Sequence, residues 1–187
     1  MMRRGKWITG VALVPAMAAM ALWAADDDQF AFMPDGGRSI LTGLLSAMTP
    51  EAAQDTLMRD DAPEGWATWA TSLDAGLDPA SIETLASYAA LNLPLGGKPV
   101  SGLGATELAE VLPPDGKDLA VAQCQFCHAL FSGYLMHDRD KAGWLSTFKS
   151  PFHTEIPMSR VERETFAGYS AINMPLAFDD VPPELRF

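Results

Sequence analysis

Both cysteines of this chain fall in one short stretch, "AQCQFCHAL" at residues 122–130, as Cys124 and Cys127, with His128 directly after the second. Two thiols three apart on a helical turn can form a disulfide, help bind a metal, or add to the two vinyl groups of a haem. In the last case the following histidine sits beneath the iron as its proximal ligand. A disulfide closing so short a loop adds little stability. A tetrahedral zinc site needs four ligands, and no second Cys/His pair of suitable spacing exists. A thioredoxin-like redox pair expects a βαβ setting, whereas these cysteines follow "GKDLAVAQ", an amphipathic helical pattern. The motif therefore favours one covalent haem c on Cys124, Cys127 and His128. A redox dithiol, a zinc site and a plain disulfide stand as the alternatives.

The elements that must position this motif are announced by an internal repeat. Residues 83–95 read "ETLASYAALNLPL" and residues 164–176 read "ETFAGYSAINMPL", with eight of 13 positions identical at an offset of 81. The same offset pairs Asp78 with Ser159, and both read as helix N-caps. Pro79 follows the first as a favoured opening residue, and Glu162 completes a capping box with the second. Each helix is expected to run about twelve residues and to stop at Asn-x-Pro. Upstream, "PDG" recurs at 34–36 and 114–116, followed by "GRSILTGLLSAM" and "KDLAVAQCQFCH". Trp66 and Trp144 also pair, each after a glycine. On these offsets the first copy has about Leu44, Ala47 and Met48 where the second has Cys124, Cys127 and His128.

The second copy resembles the class I c-type cytochromes over about the last 75 residues. "GKDLAVAQCQFCH", with Gly116 eight residues before Cys124, resembles that family's N-terminal helix. "VERETFAGYSAI" resembles its C-terminal helix, with Tyr169 as the aromatic that packs near Gly116. Ala129 stands where the family often has glycine after the histidine. The resemblance implies one-electron transfer by a six-coordinate haem iron. It also implies a sixth ligand on the loop between the two helices, usually a methionine. That loop offers His153 and Met158, and Met174 lies beyond the C-terminal helix in "NMP". His153 is the leading expectation for the distal ligand, with Met174 and Met158 as alternatives. An open sixth position defines a further reading, a haem enzyme or a gas- or peroxide-responsive protein.

The first 25 residues set the compartment. "MMRRGK" is a short basic start, and the 19 residues from Trp7 to Ala25 are uncharged. This is the charge order of an export signal, with Ala19-Met20-Ala21 as a cleavage site. The run is also long enough to cross a bilayer, with tryptophans at both ends. A cleaved signal and an uncleaved anchor through residues 7–25 both remain open, and both put the rest of the chain in the periplasm. Without residues 1–25, 10 basic residues face 24 acidic ones, a net charge of about −14. Such a surface repels nucleic acid and suits a redox partner or catalytic oxidoreductase subunit with a basic docking patch. No phosphate loop is present, since "GGKPVSGLG" lacks the strand–loop–helix setting. With three histidines, one of them in the haem motif, no Ser/His/Asp grouping can be argued.

The expected architecture is all-α: two tandem small cytochrome-c-like helical units, 30–98 without haem and 112–187 with it. A connector at 99–111 joins them, and the signal or membrane-anchor helix of 1–25 precedes them. The expected role is electron transfer, as a subunit of an oxidoreductase or respiratory complex rather than as a catalyst.

Overall fold

The structure, a computed structural model, describes residues 29–96 and 103–187. The export segment read at 1–25, the acidic run 26–28 and part of the connector lie outside the described residues. Among the described residues there is no strand, and the regular elements are helical, so the chain is all-α. No helix among them is long and apolar enough to cross a membrane. Residues Phe32–Phe187 form one compact unit, described below; of the residues before it, 29–31 are described and lie in a turn.

Eight α-helices are present among the described residues: α1 Gly37–Ser46, α2 Pro50–Leu57, α3 Pro63–Ser72, α4 Pro79–Asn92, α5 Ala105–Val111, α6 Gly116–Cys124, α7 Lys141–Thr147 and α8 Arg160–Asn173. The two long ones start where the sequence signals. Asp78 accepts from the amides of Ala80 and Ser81, with Pro79 at the first position of α4. Ser159 and Glu162 form a reciprocal capping box at the start of α8. Each satisfies amides that a helix N-terminus leaves unpaired. Both helices run 14 residues and end at the expected asparagine.

Helices α1 and α3 lie on α4, α6 and α7 lie on α8, and α4 runs against α8. The identical residues of the repeat make this central contact. Asn92 donates from Nδ2 to the Tyr88 carbonyl and to Thr165 Oγ1 of the other helix, at 2.9 and 3.0 Å. Asn173 does the reverse, donating to the Tyr169 carbonyl and to Thr84 Oγ1, both at 2.9 Å. The two threonines are each 3% exposed, so these bonds satisfy polar groups with no recourse to water. Gly168 allows the close approach: a Cβ there would lie 2.5 Å from Ser87 Oγ.

The tyrosines of the repeat tie down the short helices. Tyr88 lies against Gly37, and Tyr169 against Gly116; a Cβ on either glycine would come within 2.2 Å of the tyrosine Cβ. Each hydroxyl then reaches into the other half. Tyr88 donates to the Pro113 carbonyl and Tyr169 to the Pro34 carbonyl, both at 2.7 Å. Gly37 and Gly116 are thus the matched first residues of α1 and α6, an offset of 79 rather than the 80 of the "PDG" repeat. The shared requirement is a helix-opening glycine under a tyrosine, not the tripeptide. This shifts the positions opposite Cys124, Cys127 and His128 by one, from Leu44, Ala47 and Met48 to Leu45, Met48 and Thr49.

By the same register the N-cap Gly36 matches the N-cap Asp115, and the two touch. Asp115 is 1% exposed and serves two helices. One carboxylate oxygen accepts from the Asp118 amide of its own helix, α6. The other accepts from the Arg38 and Ser39 amides in the first turn of α1. Gly36 leaves room for it, since a Cβ there would fall 2.0 Å from the carboxylate. Arg38 adds bonds to the Ala109 carbonyl and to Asp118. The stretch read as a connector contributes to packing as well: Leu108 of α5 joins Leu41, Leu45, Leu57, Trp66 and Leu85 in the core of the first half, as does Leu112, the first residue of the unit expected at 112–187.

Two expectations follow. Asn92→Ala and Asn173→Ala should each lower stability by about 1–2 kcal/mol, and by similar amounts, in urea unfolding of the full chain. Asp115→Ala should cost about 2–3 kcal/mol, because it uncaps two helices at once. Burial, with the Asp118 carboxylate beside it, pushes the Asp115 carboxyl up to about 6. The folded chain therefore holds this proton more tightly than the unfolded one. The stability due to Asp115 is fullest below about pH 4 and declines as pH rises through 6, so the substitution should cost more at pH 5 than at pH 7.

Candidate functional site

The CxxCH motif sits where α6 runs out. Cys124 is its last residue and is partly buried, while Cys127 and His128 lie on the turn beyond it and are exposed. The sulfurs carry no disulfide. Residues 131–135 then make one wide π-type turn, an irregularity found often at functional sites. Its purpose here is visible at Gly133, which lies flat against the His128 ring. A Cβ on Gly133 would fall 1.9 Å from His128 Nδ1, so only glycine leaves the imidazole this position.

These residues open on a cleft of about 340 Å³. Tyr134, Trp144 and Phe148 form its apolar back, with Phe166 behind them in edge and tilted ring contacts. Tyr134 is held by a 2.9 Å hydrogen bond between its hydroxyl and Ser170 on α8. The loop 149–158 also lines it, bringing Phe152, His153, Ile156 and Met158 to the cleft. The ring centroids of His128 and His153 are 6.3 Å apart, with planes at 83°. His153 Nδ1 is buried and makes no hydrogen bond. Such an atom is costly unless something pairs with it.

Of the residues singled out in the sequence, Cys124, Cys127, His128, His153 and Met158 meet at this one cleft. Met174 is not among its lining. It is buried at the end of α8, where its amide donates to the Ser170 carbonyl. Met158 lines the cleft but is 7% exposed and packs under the start of α8, as a residue preceding an N-cap often does. His137 stands edge-on to Trp144 and is not among the residues lining the cleft.

Two participants escape a motif reading. Gly133 has no spacing signature. Arg163 looks like an ordinary surface residue of an amphipathic helix, yet it binds the backbone of the histidine loop. A usable signal was present in the repeat: Trp66 and Asp78 are 12 apart, whereas Trp144 and Ser159 are 15 apart. The second copy thus carries three extra residues in the loop that holds His153. In the first copy, Leu45 fills the position of Cys124 and is part of a side-chain core.

No protein-family model, curated protein or solved structure matches the chain.

Burial, with Cys127 nearby, pushes the Cys124 thiol up to about 12. A reactive thiol requires the opposite shift. In chain made without cofactor, iodoacetamide at pH 8 should alkylate the exposed Cys127 at least about tenfold faster than Cys124, as read by peptide mass spectrometry. Equal rates would contradict the burial of Cys124.

Proposed function

We propose that this chain is a mono-haem c-type electron-transfer protein. Cys124 and Cys127 hold the haem as thioethers, His128 is the proximal ligand and His153 the distal one. The observation that carries the reading is the orphaned, buried His153 Nδ1 facing the CxxCH histidine across an apolar cleft. Two imidazoles that share one metal through bonds of about 2 Å bring their ring centroids on the order of 6 Å apart, and these rings stand at 6.3 Å. The contact of Gly116 with Tyr169 also accords with the cytochrome resemblance.

The haem would supply a one-electron iron couple. The chain's own residues do the rest. Gly133 leaves the space in which His128 is oriented, Tyr134, Trp144 and Phe148 keep water from the inner wall, and Met158 closes the loop side. A dithiol oxidoreductase fits less well, because Cys124 is held as a thiol. An open sixth position fits less well too, because His153 already lines the cleft.

The same reading covers the organisation of the chain. The halves 30–98 and 112–187 are two tandem cytochrome-c-like units, the first a haem-less copy whose core is filled by side chains. The chain acts in the periplasm, after export or anchoring through residues 1–25, as the cytochrome subunit of an oxidoreductase or respiratory complex. Residues 29–112 carry 11 acidic and 3 basic side chains, against 10 and 7 in residues 113–187. The haem-less half is therefore the more acidic, which suits it to steering a partner with a basic docking patch.

The test is near-infrared magnetic circular dichroism of the oxidised full chain, made in a host that attaches c-type haem. A bis-histidine signature is expected, lost in His153→Ala. A methionine–iron charge-transfer signature, retained in that variant, would reject His153 as distal ligand.

A further inference from the structure

We propose that Arg163 is the positioning residue for the distal histidine, an assignment that rests on the reading of His153 above. Arg163 sits one turn into α8 and sends its guanidinium back along the loop. Nε donates to the Met158 carbonyl at 3.2 Å, and one terminal nitrogen donates to the Thr154 and Ile156 carbonyls at 3.1 and 3.2 Å. Its cation lies over the Phe148 ring at 4.9 Å, and Phe148 is a wall of the cleft. One side chain thereby joins the start of α8, the loop just after His153 and the aromatic wall that His153 shares. On its other side, His153 is held by its own turn, with its amide and that of Thr154 on the Ser150 carbonyl at 3.0 Å.

Three acceptors along one stretch of backbone suit the planar fork of a guanidinium and not the single point of an ammonium. The internal repeat supplies an independent argument. The residue 81 positions before Arg163 is Ile82, an apolar side chain, in the copy that lacks both the cysteines and the longer loop. The arginine occurs where the histidine loop occurs. Groups that orient a metal ligand commonly change its affinity by about 10- to 100-fold when removed. Arg163 would act in this way through the backbone rather than through the imidazole.

The experiment compares the haem-loaded full chain with Arg163→Lys, Arg163→Ala and His153→Ala, reading the rate of carbon monoxide binding to the reduced iron and the spin state of the oxidised iron. Wild type should be low-spin and nearly inert to carbon monoxide, and His153→Ala should bind it freely. Arg163→Lys keeps the positive charge near Phe148 but not the three bonds. It should bind carbon monoxide roughly tenfold or more faster than wild type while keeping wild-type helicity. Arg163→Ala should do so at least as strongly, and if it fails to fold, the lysine variant alone decides. Folded arginine variants as inert as wild type, with His153→Ala open, would overturn the role of Arg163 and leave the ligand standing. A His153→Ala protein that stays low-spin and inert would overturn the ligand assignment, and the positioning role with it.

Discussion

The fold depends on the reciprocal lock between α4 and α8. Asn92 reaches across to Thr165, Asn173 reaches back to Thr84, and glycine at position 168 lets the two backbones close. The two threonine hydroxyls are buried, so sliding one helix along the other would leave them without partners inside the contact, at a cost of about 1–3 kcal/mol each, more than the roughly 1 kcal/mol each bond contributes when intact. The tyrosines between these residues extend the lock outward. Each holds down the opening glycine of a short helix in its own half and hydrogen-bonds the approach to the equivalent helix in the other. The halves are therefore interlocked as well as stacked, and Asp115, capping α1 and α6 together, closes the same seam.

That seam decides what the second half can do. Once α8 is fixed, Ser170 sets Tyr134, Phe166 backs Trp144 and Phe148, and Ser159 starts the helix where the loop must end. The proposed haem cleft is the space left between this wall and the loop of 149–158. The first half is filled by side chains. Its α1 presents Leu45 instead of a cysteine, and α5 adds Leu108, so side chains fill its core.

Much of this was legible in the chain. Asp78, Pro79, Ser159 and Glu162 gave the starts of both long helices because capping is local chemistry, readable over a few residues. The repeat exposed the identical Thr, Tyr and Asn, but not that they bond across the halves; that information lies in a crossing of helices 81 residues apart. The "PDG" match misaligned α1 and α6 by one residue, since the tripeptide is conspicuous and the requirement for glycine beneath tyrosine is not. At the cleft, the cysteines and His128 were singled out by their spacing. His153 led the candidates for the sixth ligand on its place in the loop alone, with Met174 next and Met158 after it; the fold brings His153 and Met158 to the cleft and carries Met174 away at the end of α8. Arg163 was invisible because its partners are carbonyls, which every residue has.

The central claim, that Cys124 and Cys127 carry one haem by covalent bonds, is tested most directly by intact and peptide mass spectrometry of the full chain from a host with c-type haem maturation, after denaturation and acid extraction. The account predicts a red protein whose mass exceeds the polypeptide by one haem, with the added mass on the peptide containing Cys124 and Cys127, and with attachment weakened by Cys124→Ala and abolished when both cysteines are replaced. A colourless chain with two free thiols, a zinc-bearing chain, or a pigment that extracts completely with acid would contradict it.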